Sequence, residues 1–395
     1  MIVRGPPGPR TFRPERPDMI TPPPQLELHP LHIPTDIDDA DAADFREMTH
    51  VRNLVYREIT GSTDEDLRPE ELLPHYRPAP DEIRLIWVAR WDGRIVGRVG
   101  LDLPLEDGSD TAYWLIELLA EFHGRGIGTA AYAVLERAAR DHGRRTLQSY
   151  AEHTNAPGPR LAAPTGFGDI PLDRRARFFL RHGYELKQIE RKSVLDLRSA
   201  ASTVDRLLAT ARAASAGYRV VHWTAPTPAE HLDGYAWLKS RMSTDAPTGG
   251  MAVDEEAWDA ARVRRHDARY VEAGQTLFVT AAQHIATGDL VAFNELVIGS
   301  DKSRATFQED TLVSADHRGH RLGMLVKCAA LVAWRDIAPE SPRVITYNAE
   351  ENRPMLDINE AIGFAPASYE GAWQKVLDAV TDGAGTAGSS ATSGS

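Results

Sequence analysis

The sequence predicts a mixed α/β fold built twice, as two consecutive domains that are each an open mixed sheet flanked by helices. Three observations lead there. An apolar strand-like run, Tyr113 to Leu119, enters a glycine turn, HGRGIG from His123 to Gly128, and a helix-like run from Thr129 to Arg140 follows. A second strand-like run, Thr306 to Val313, enters RGHRLG from Arg318 to Gly323 and leads into an apolar helix from Met324 to Trp334. The same order of hairpin, crossover helix and closing segment surrounds both units, and that alternation requires a sheet with antiparallel and parallel pairs together.

In the first copy a weak strand (Leu26 to Leu31) precedes a helix from Asp41 to Glu58, where Phe45, Met48, Val51, Val55 and Tyr56 recur at helical spacing. Ile83 to Ala89 and Ile95 to Leu101 form a hairpin, with Asp92 and Gly93 as its turn. After the glycine unit come a strand (Thr146 to Tyr150), a Pro- and Gly-containing loop (Asn155 to Pro171), a helix (Arg174 to Arg181), Gly183 and Tyr184, and a strand from Leu186 to Leu195. A linker helix (Ala201 to Ala214) leads to the second copy. Its elements are a strand (Tyr218 to Trp223), a helix (Ala229 to Met242), a hairpin (Leu277 to Ala282, Leu290 to Ile298) turning at Gly288, the second glycine unit, a strand (Val344 to Tyr347), and a helix (Pro354 to Ile362) ending at Gly363 and Phe364.

The boundaries that follow are a flexible Pro-rich extension at 1–27, a first domain at 28–197, a linker helix at 198–216, a second domain at 217–378 and a disordered Gly/Ser tail at 379–395. The first copy has about 15 more residues than the second between its last turn glycine (Gly128 or Gly323) and its closing glycine (Gly183 or Gly363). The excess falls in the long loop, a place where functional segments are common.

With 395 residues, 42% hydrophobic and 26% charged, the composition is that of a globular protein. No apolar run approaches the roughly 18 residues of a transmembrane helix, and the Pro- and Arg-rich start lacks the apolar core of a secretory signal. A cytoplasmic protein without a membrane partner is expected. A net charge of −12 argues against a nucleic-acid binder and suits a cationic small partner. The lone Cys328 excludes an intramolecular disulfide and, in an apolar helix, reads as a buried inert thiol. His317 and His320 have no third ligand at suitable spacing, so no metal is expected.

Each glycine turn has the makings of an anion cradle. Glycines let a phosphate approach the backbone, and the helix that follows offers free N–H groups and its positive dipole end. No GKS or GKT follows either turn, which counts against a P-loop, and the order of Gly124, Gly126 and Gly128 departs from the dinucleotide fingerprint.

Through these residues both halves resemble the GNAT superfamily of acetyl-CoA-dependent N-acetyltransferases. That family's signature is a polar residue, two variable residues, Gly, a variable residue, and Gly or Ala. The first copy matches it through His123, Gly126 and Gly128; the second matches through Arg318 and Gly323 but has Arg321 in place of the middle glycine. The family's closing motif is similar to RFFLRHGY in the first copy and NAEENRPMLDINEAIGF in the second. The resemblance covers about residues 28–197 and 217–378.

The resemblance implies acetyl-CoA as cofactor and no metal. In the first copy it implies contacts from Leu118, Leu119, His123, Gly124, Arg125, Gly126, Ile127, Gly128 and Thr129. In the second it implies contacts from Leu312, Val313, Arg318, Gly319, His320, Arg321, Leu322 and Gly323, with Asn348 and Asn352 placed for polar contacts to the pantetheine arm. A Cβ at Arg321 obstructs the pyrophosphate unless its φ is negative and the side chain turns outward. The tandem arrangement is similar to that of mycothiol synthases, in which one half is degenerate.

The implied reaction is direct transfer of an acetyl group from the thioester to a primary amine of a small molecule. An alkyl amine with a pKa near 10.4 is neutral in only about one molecule in a thousand at pH 7, so a general base is expected. Glu117 in the first copy and Glu309 and Asp310 in the second are candidates, as carboxylates within strands that precede the glycine turns. The alternative, that they point to solvent from alternating strands, stays open. Many family members carry a Tyr four residues before the closing Gly to protonate the departing thiolate; here those residues are Phe179 and Asn359. Acids after the first helix of each copy (Asp64, Glu65, Asp66; Asp245, Asp254, Glu255, Glu256) either draw an ammonium substrate or cap helices. A non-catalytic acyl-CoA sensor and a homodimer both remain open.

Overall fold

The computed structural model describes residues 23–154 and 156–378. Most of the expected N-terminal extension and all of the Gly/Ser tail lie outside the described residues. The first copy consists of β1 (Leu26–Pro30), α1 (Ala43–Thr60), α2 (Pro69–Tyr76), β2 (Glu82–Trp91), β3 (Arg94–Pro104), β4 (Thr111–Leu118), α3 (Ile127–Asp141), β5 (Thr146–His153), β6 (Arg160–Ala162), β7 (Asp169–Pro171), α4 (Arg174–Arg181) and β8 (Glu185–Asp196). After α5 (Leu197–Ala214) the second copy has β9 (Tyr218–Thr224), α6 (Leu232–Asp245), α7 (Ala260–Glu272), β10 (Thr276–His284), β11 (Leu290–Ile298), β12 (Thr306–Val313), α8 (Leu322–Ile337), β13 (Arg343–Ala349), α9 (Arg353–Ile362) and β14 (Ala365–Val376).

Local chemistry accounts for most of these elements. Asp92 and Gly93 both take positive φ, 49° and 82°, the backbone that lets a two-residue turn follow the twist of β2 and β3. On α1 the apolar residues Phe45, Met48, Val51 and Val55 fall on one buried stripe. The helix α5 is more than a tether, because Ala200, Val204, Leu208 and Ala211 bury a stripe in the same core as α8.

The mixed α/β fold flanked by helices is present, and its two sheets are fused into one. Twelve strands run in the order β1-β2-β3-β4-β5-β14-β8-β13-β12-β11-β10-β9. The closing strands have changed places. The second copy's last strand, β14, lies antiparallel beside β5, while the first copy's last strand, β8, lies antiparallel beside β13. The two exchanged strands then pair with each other and join the halves. Apolar burial supports the exchange: Trp373 and Leu377 belong to the first copy's core, and Leu195 to the second copy's.

Each half contains one parallel contact, and it is short. Strand β4 pairs with β5 only from Thr111 to Tyr113, and β12 pairs with β13 only at Thr306 and Phe307. Past those residues the strands diverge and open a cleft, which in each copy faces the start of α3 or α8. Among the described residues, no helix is long and apolar enough to cross a membrane.

Candidate active site

Both glycine turns build a helix start with free N–H groups. The first intrahelical bond of α3 runs from Ala130 N–H to the Gly126 carbonyl, and that of α8 from Leu325 N–H to the Arg321 carbonyl. The N–H groups of Ile127, Gly128 and Thr129, and of Leu322, Gly323 and Met324, therefore have no helical partner. Gly126 takes φ 82° and Arg321 takes φ 56°, so the Arg keeps the left-handed backbone of the glycine it replaces. This corrects the negative φ on which its tolerance had depended, and such a conformation costs a non-glycine residue about 1–3 kcal/mol. The last glycine of each turn serves packing: a Cβ on Gly323 would lie 2.9 Å from Ile358 Cδ1, and one on Gly128 3.3 Å from Phe178.

Several implied cofactor residues are engaged within the protein. His123 Nε2 bonds to the Leu118 carbonyl at 3.0 Å, and Arg318 Nε donates to the Val313 carbonyl. Arg125 lies over the rings of Trp91 and Phe122. Leu118, Leu119, Ile127, Leu312 and Leu322 are core residues. Asn352 caps α9 by accepting from Met355 N–H, while the His320 carbonyl accepts from Ser215 Oγ. Arg321 is different, because its guanidinium has no hydrogen bond or ion pair among the described residues. With Gly319, Met324, Asp357 and Ile358 it lines a crevice of about 350 Å³. Free N–H groups and an unpaired guanidinium at one crevice fit a pyrophosphate.

The two clefts are filled differently. Each of β4 and β12 has eight residues and opens with a threonine in the parallel ladder, so Trp114 in the first copy corresponds to Glu309 in the second. Trp114 is buried, with its ring centroid 5.4–5.6 Å from those of Tyr132, Phe179 and Tyr184, and its Nε1 donates to Tyr184 Oη at 2.7 Å. Phe179 stacks flat on Trp373 at 4.8 Å. Pro23 sits over the turn, its Cγ 3.7 Å from where a Gly126 Cβ would be. Aromatic rings thus occupy the first cleft. In the second, the buried atoms Gln308 Oε1, Thr311 Oγ1 and Ser314 Oγ have no partner among the described residues. Unpaired polar atoms beside a parted strand suit a ligand with amide groups.

The base candidates separate as clearly. Glu117 is neither a poised base nor solvent-facing: Arg98 donates to it through Nε at 2.5 Å and Nη2 at 2.9 Å. Burial opposes its ionisation, but Arg98, with help from Arg52 and Tyr56, holds the carboxyl below its ordinary value. In the second copy β12 bulges, since Asn294 faces Thr311 and Leu296 faces Gln308, which leaves Glu309 and Asp310 opposite Glu295. Lys239, buried on α6, donates to Asp310 at 2.6 Å and to Glu295 at 3.1 Å, and Tyr235 Oη also donates to Glu295. Glu309 receives no such partner among the described residues. Its side chain is exposed at the strand surface, and its carboxyl is pushed up to about 7 by desolvation among the elements packed around it and by the charges of Asp310 and Glu295, with Lys239 opposing. A carboxylate that titrates near neutrality beside a cleft can take a proton from an amine.

The acidic loops do two jobs. Asp64, Glu65 and Asp66 neither cap a helix nor face an acceptor: Asp64 pairs with Arg343, Glu65 accepts from Lys192 and from Tyr347 Oη, and Asp66 pairs with Arg57 of its own copy and with Arg304 of the other, so the cluster ties the copies together. Asp254 and Glu256 instead line a cavity of about 530 Å³ between the copies, together with Asp102, Tyr113, Lys239 and Asp310. Asp254 accepts from Ser109 Oγ and has no cationic partner among the described residues. The helix α7 is capped by Asp259. No cluster of three His, Cys, Asp or Glu side chains suited to a metal occurs among the described residues.

Residues 50–167 match the model of the acetyltransferase (GNAT) family. The chain therefore carries a GNAT acetyltransferase domain. Over 89% of its length it is similar to a tandem GNAT protein from the clavulanic acid biosynthesis pathway, solved without AcCoA, with 28% identity, a TM-score of 0.67 and 98% of that protein covered. A GCN5-related N-acetyltransferase from Sphaerobacter thermophilus shares the fold at 14% identity and a TM-score of 0.57, with 90% of this chain and 97% of that one covered. No curated protein matches the chain. The family match thus falls within the first copy, and the two-copy layout of the chain is similar to that of the tandem GNAT protein.

Proposed function

We propose that the chain is an acetyl-CoA-dependent N-acetyltransferase in which the second copy is the working half and the acceptor is a primary amine of a small molecule. Glu309 carries this reading: it titrates near neutrality on a bulged strand beside an open cleft, whereas the first copy has Trp114 at that position. The similarity to a tandem protein of a small-molecule biosynthetic pathway supports an acceptor of the same size class.

Acetyl-CoA supplies a thioester whose acetyl group an amine can take directly. The N–H groups of Leu322, Gly323 and Met324 and the guanidinium of Arg321 would hold its pyrophosphate, a reading supported by the crevice that Arg321 lines at the start of α8. Glu309 accepts a proton from the substrate ammonium, directly or through one water, and frees the nitrogen lone pair. Lys239 pairs with both Glu295 and Asp310, and the negative charge that one ammonium leaves on this pair helps to hold the Glu309 carboxyl up. The cavity between the copies, with Asp254 unpaired, draws a cationic amine toward the cleft.

Calorimetric titration with acetyl-CoA, followed by a thiol-release assay against a panel of small amines, tests the proposal. One binding site and thiol release with an amine are expected. Binding without release for any amine would instead support an acyl-CoA sensor, a reading favoured by the intact glycine turn of the first copy.

A further inference from the structure

Lys327 is fully buried on α8, and no carboxylate pairs with it among the described residues. Its one hydrogen bond runs to Asn359 Oδ1 at 2.9 Å, and burial pushes the amine down to about 7. A lysine in such a place is costly to keep. The bonding continues outward. Asn359, 1% exposed on α9, donates through Nδ2 to Asn348 Oδ1 at 2.7 Å, and Asn348 lies part-exposed on β13, beyond the point where that strand has left β12.

The direction of this line matters. Lys327 donates to the oxygen of Asn359, which engages that end of the amide and leaves its NH2 group to face Asn348. Asn348 then accepts with its oxygen, and its own NH2 group remains for the cleft. Asparagine amides are otherwise free to present either end. We propose that Lys327 is a positioning residue: through Asn359 it fixes the Asn348 amide so that its NH2 group points into the second cleft, as a donor to a carbonyl oxygen of the acyl-CoA chain. The proposal rests on the reading that the second copy takes acetyl-CoA.

The other copy lacks the line. At the corresponding positions it has Tyr132 for Lys327, Phe179 for Asn359 and Tyr150 for Asn348. Tyr132 and Phe179 belong to the aromatic cluster, and Tyr150 is 42% exposed. The polar line therefore occurs only in the copy that bears Glu309.

The test uses the full chain and acetyl-CoA. Lys327→Met keeps the shape of the stem and removes the donor. It should raise the Kd and KM for acetyl-CoA about threefold to tenfold, the worth of one hydrogen bond, and leave the KM for the amine unchanged. Lys327→Gln, which retains an NH2 group, should restore most of the loss. Asn348→Asp, at a part-exposed position, puts an acceptor where the donor stood and should weaken acetyl-CoA about tenfold even if Lys327→Met does not fold. Unchanged acetyl-CoA affinity in a folded Lys327→Met or in Asn348→Asp overturns the assignment, as does a rise in KM shared equally by the amine. Absence of acetyl-CoA binding by the wild type would overturn the functional reading itself, and this assignment with it.

Discussion

Glu309 stands at the strand position that Trp114 holds in the other copy, each the fourth residue of an eight-residue strand beside a parting parallel pair. One position thus carries a titrating carboxylate in the second cleft and a plug of aromatic surface in the first. Replacing Glu309 with Gln should lower kcat at neutral pH by about 100-fold or more, the usual worth of a general base. In the wild type, initial rates should fall as pH drops through about 7, because the base must be ionised; the Gln variant should lose that inflection. An unchanged pH profile would remove Glu309 from the chemistry.

The same carboxylate should weaken the fold. Its value is raised in the folded state, so folding favours the protonated form, and its contribution to stability declines as pH rises from its ordinary value near 4.5 toward 7. Glu309→Gln should therefore raise Tm more at about pH 8 than at about pH 5. Thermal melts at the two pH values measure it.

Glu117 has the opposite sign. Its value is lowered by Arg98, so its stabilisation is present above its ordinary 4.5 and is lost as pH falls through the lowered folded value. Glu117→Gln leaves the buried Arg98 without its carboxylate and should cost about 3–5 kcal/mol in chemical denaturation. Turnover per folded molecule should stay the same if the proposed chemistry resides in the second copy.

Arg321 joins strain to function. Arg321→Gly relieves a left-handed backbone at φ 56° and should stabilise the fold by about 1 kcal/mol. It also removes the unpaired guanidinium from the crevice beside α8 and should weaken acetyl-CoA about tenfold, as expected for a charged hydrogen bond of about 1.5 kcal/mol. Equal affinity in calorimetry would show that this side chain touches no phosphate.

Because β14 lies between β5 and β8, neither half keeps a complete sheet once the other unfolds. Differential scanning calorimetry should show one cooperative transition, with calorimetric and van't Hoff enthalpies in agreement. Two resolved transitions would mean that the copies hold their structure independently.

Much of this was legible in the residues. The helix Arg174–Arg181 and the strand Thr306–Val313 match their sequence boundaries, because periodicity and glycine punctuation mark them. Periodicity and glycine punctuation do not mark the helices α2 and α7, the hairpin of β6 and β7, or the strand β14 after Phe364. Periodicity marks a strand but not its neighbour, so the exchange of β8 and β14 could not be read. Glu117 and Glu309 looked alike as carboxylates in apolar strands. Arg98 beneath one and the bulge beneath the other set them apart, and both are matters of register. Lys327 did leave a sign: it is the one charge in the run GMLVKCAALVAW, where an ordinary apolar helix has none.

On the proposed reading, the interchange of β8 and β14 makes the first copy indispensable to chemistry performed in the second. Trp373, encoded near the end of the chain, completes the aromatic core of the first half, while Leu195, encoded before the second half begins, completes the core beneath α8. Damage to Trp114 or Phe179 would reach Glu309 through shared strands. On that reading the first half, its HGRGIG turn included, serves as the frame on which the second is strung.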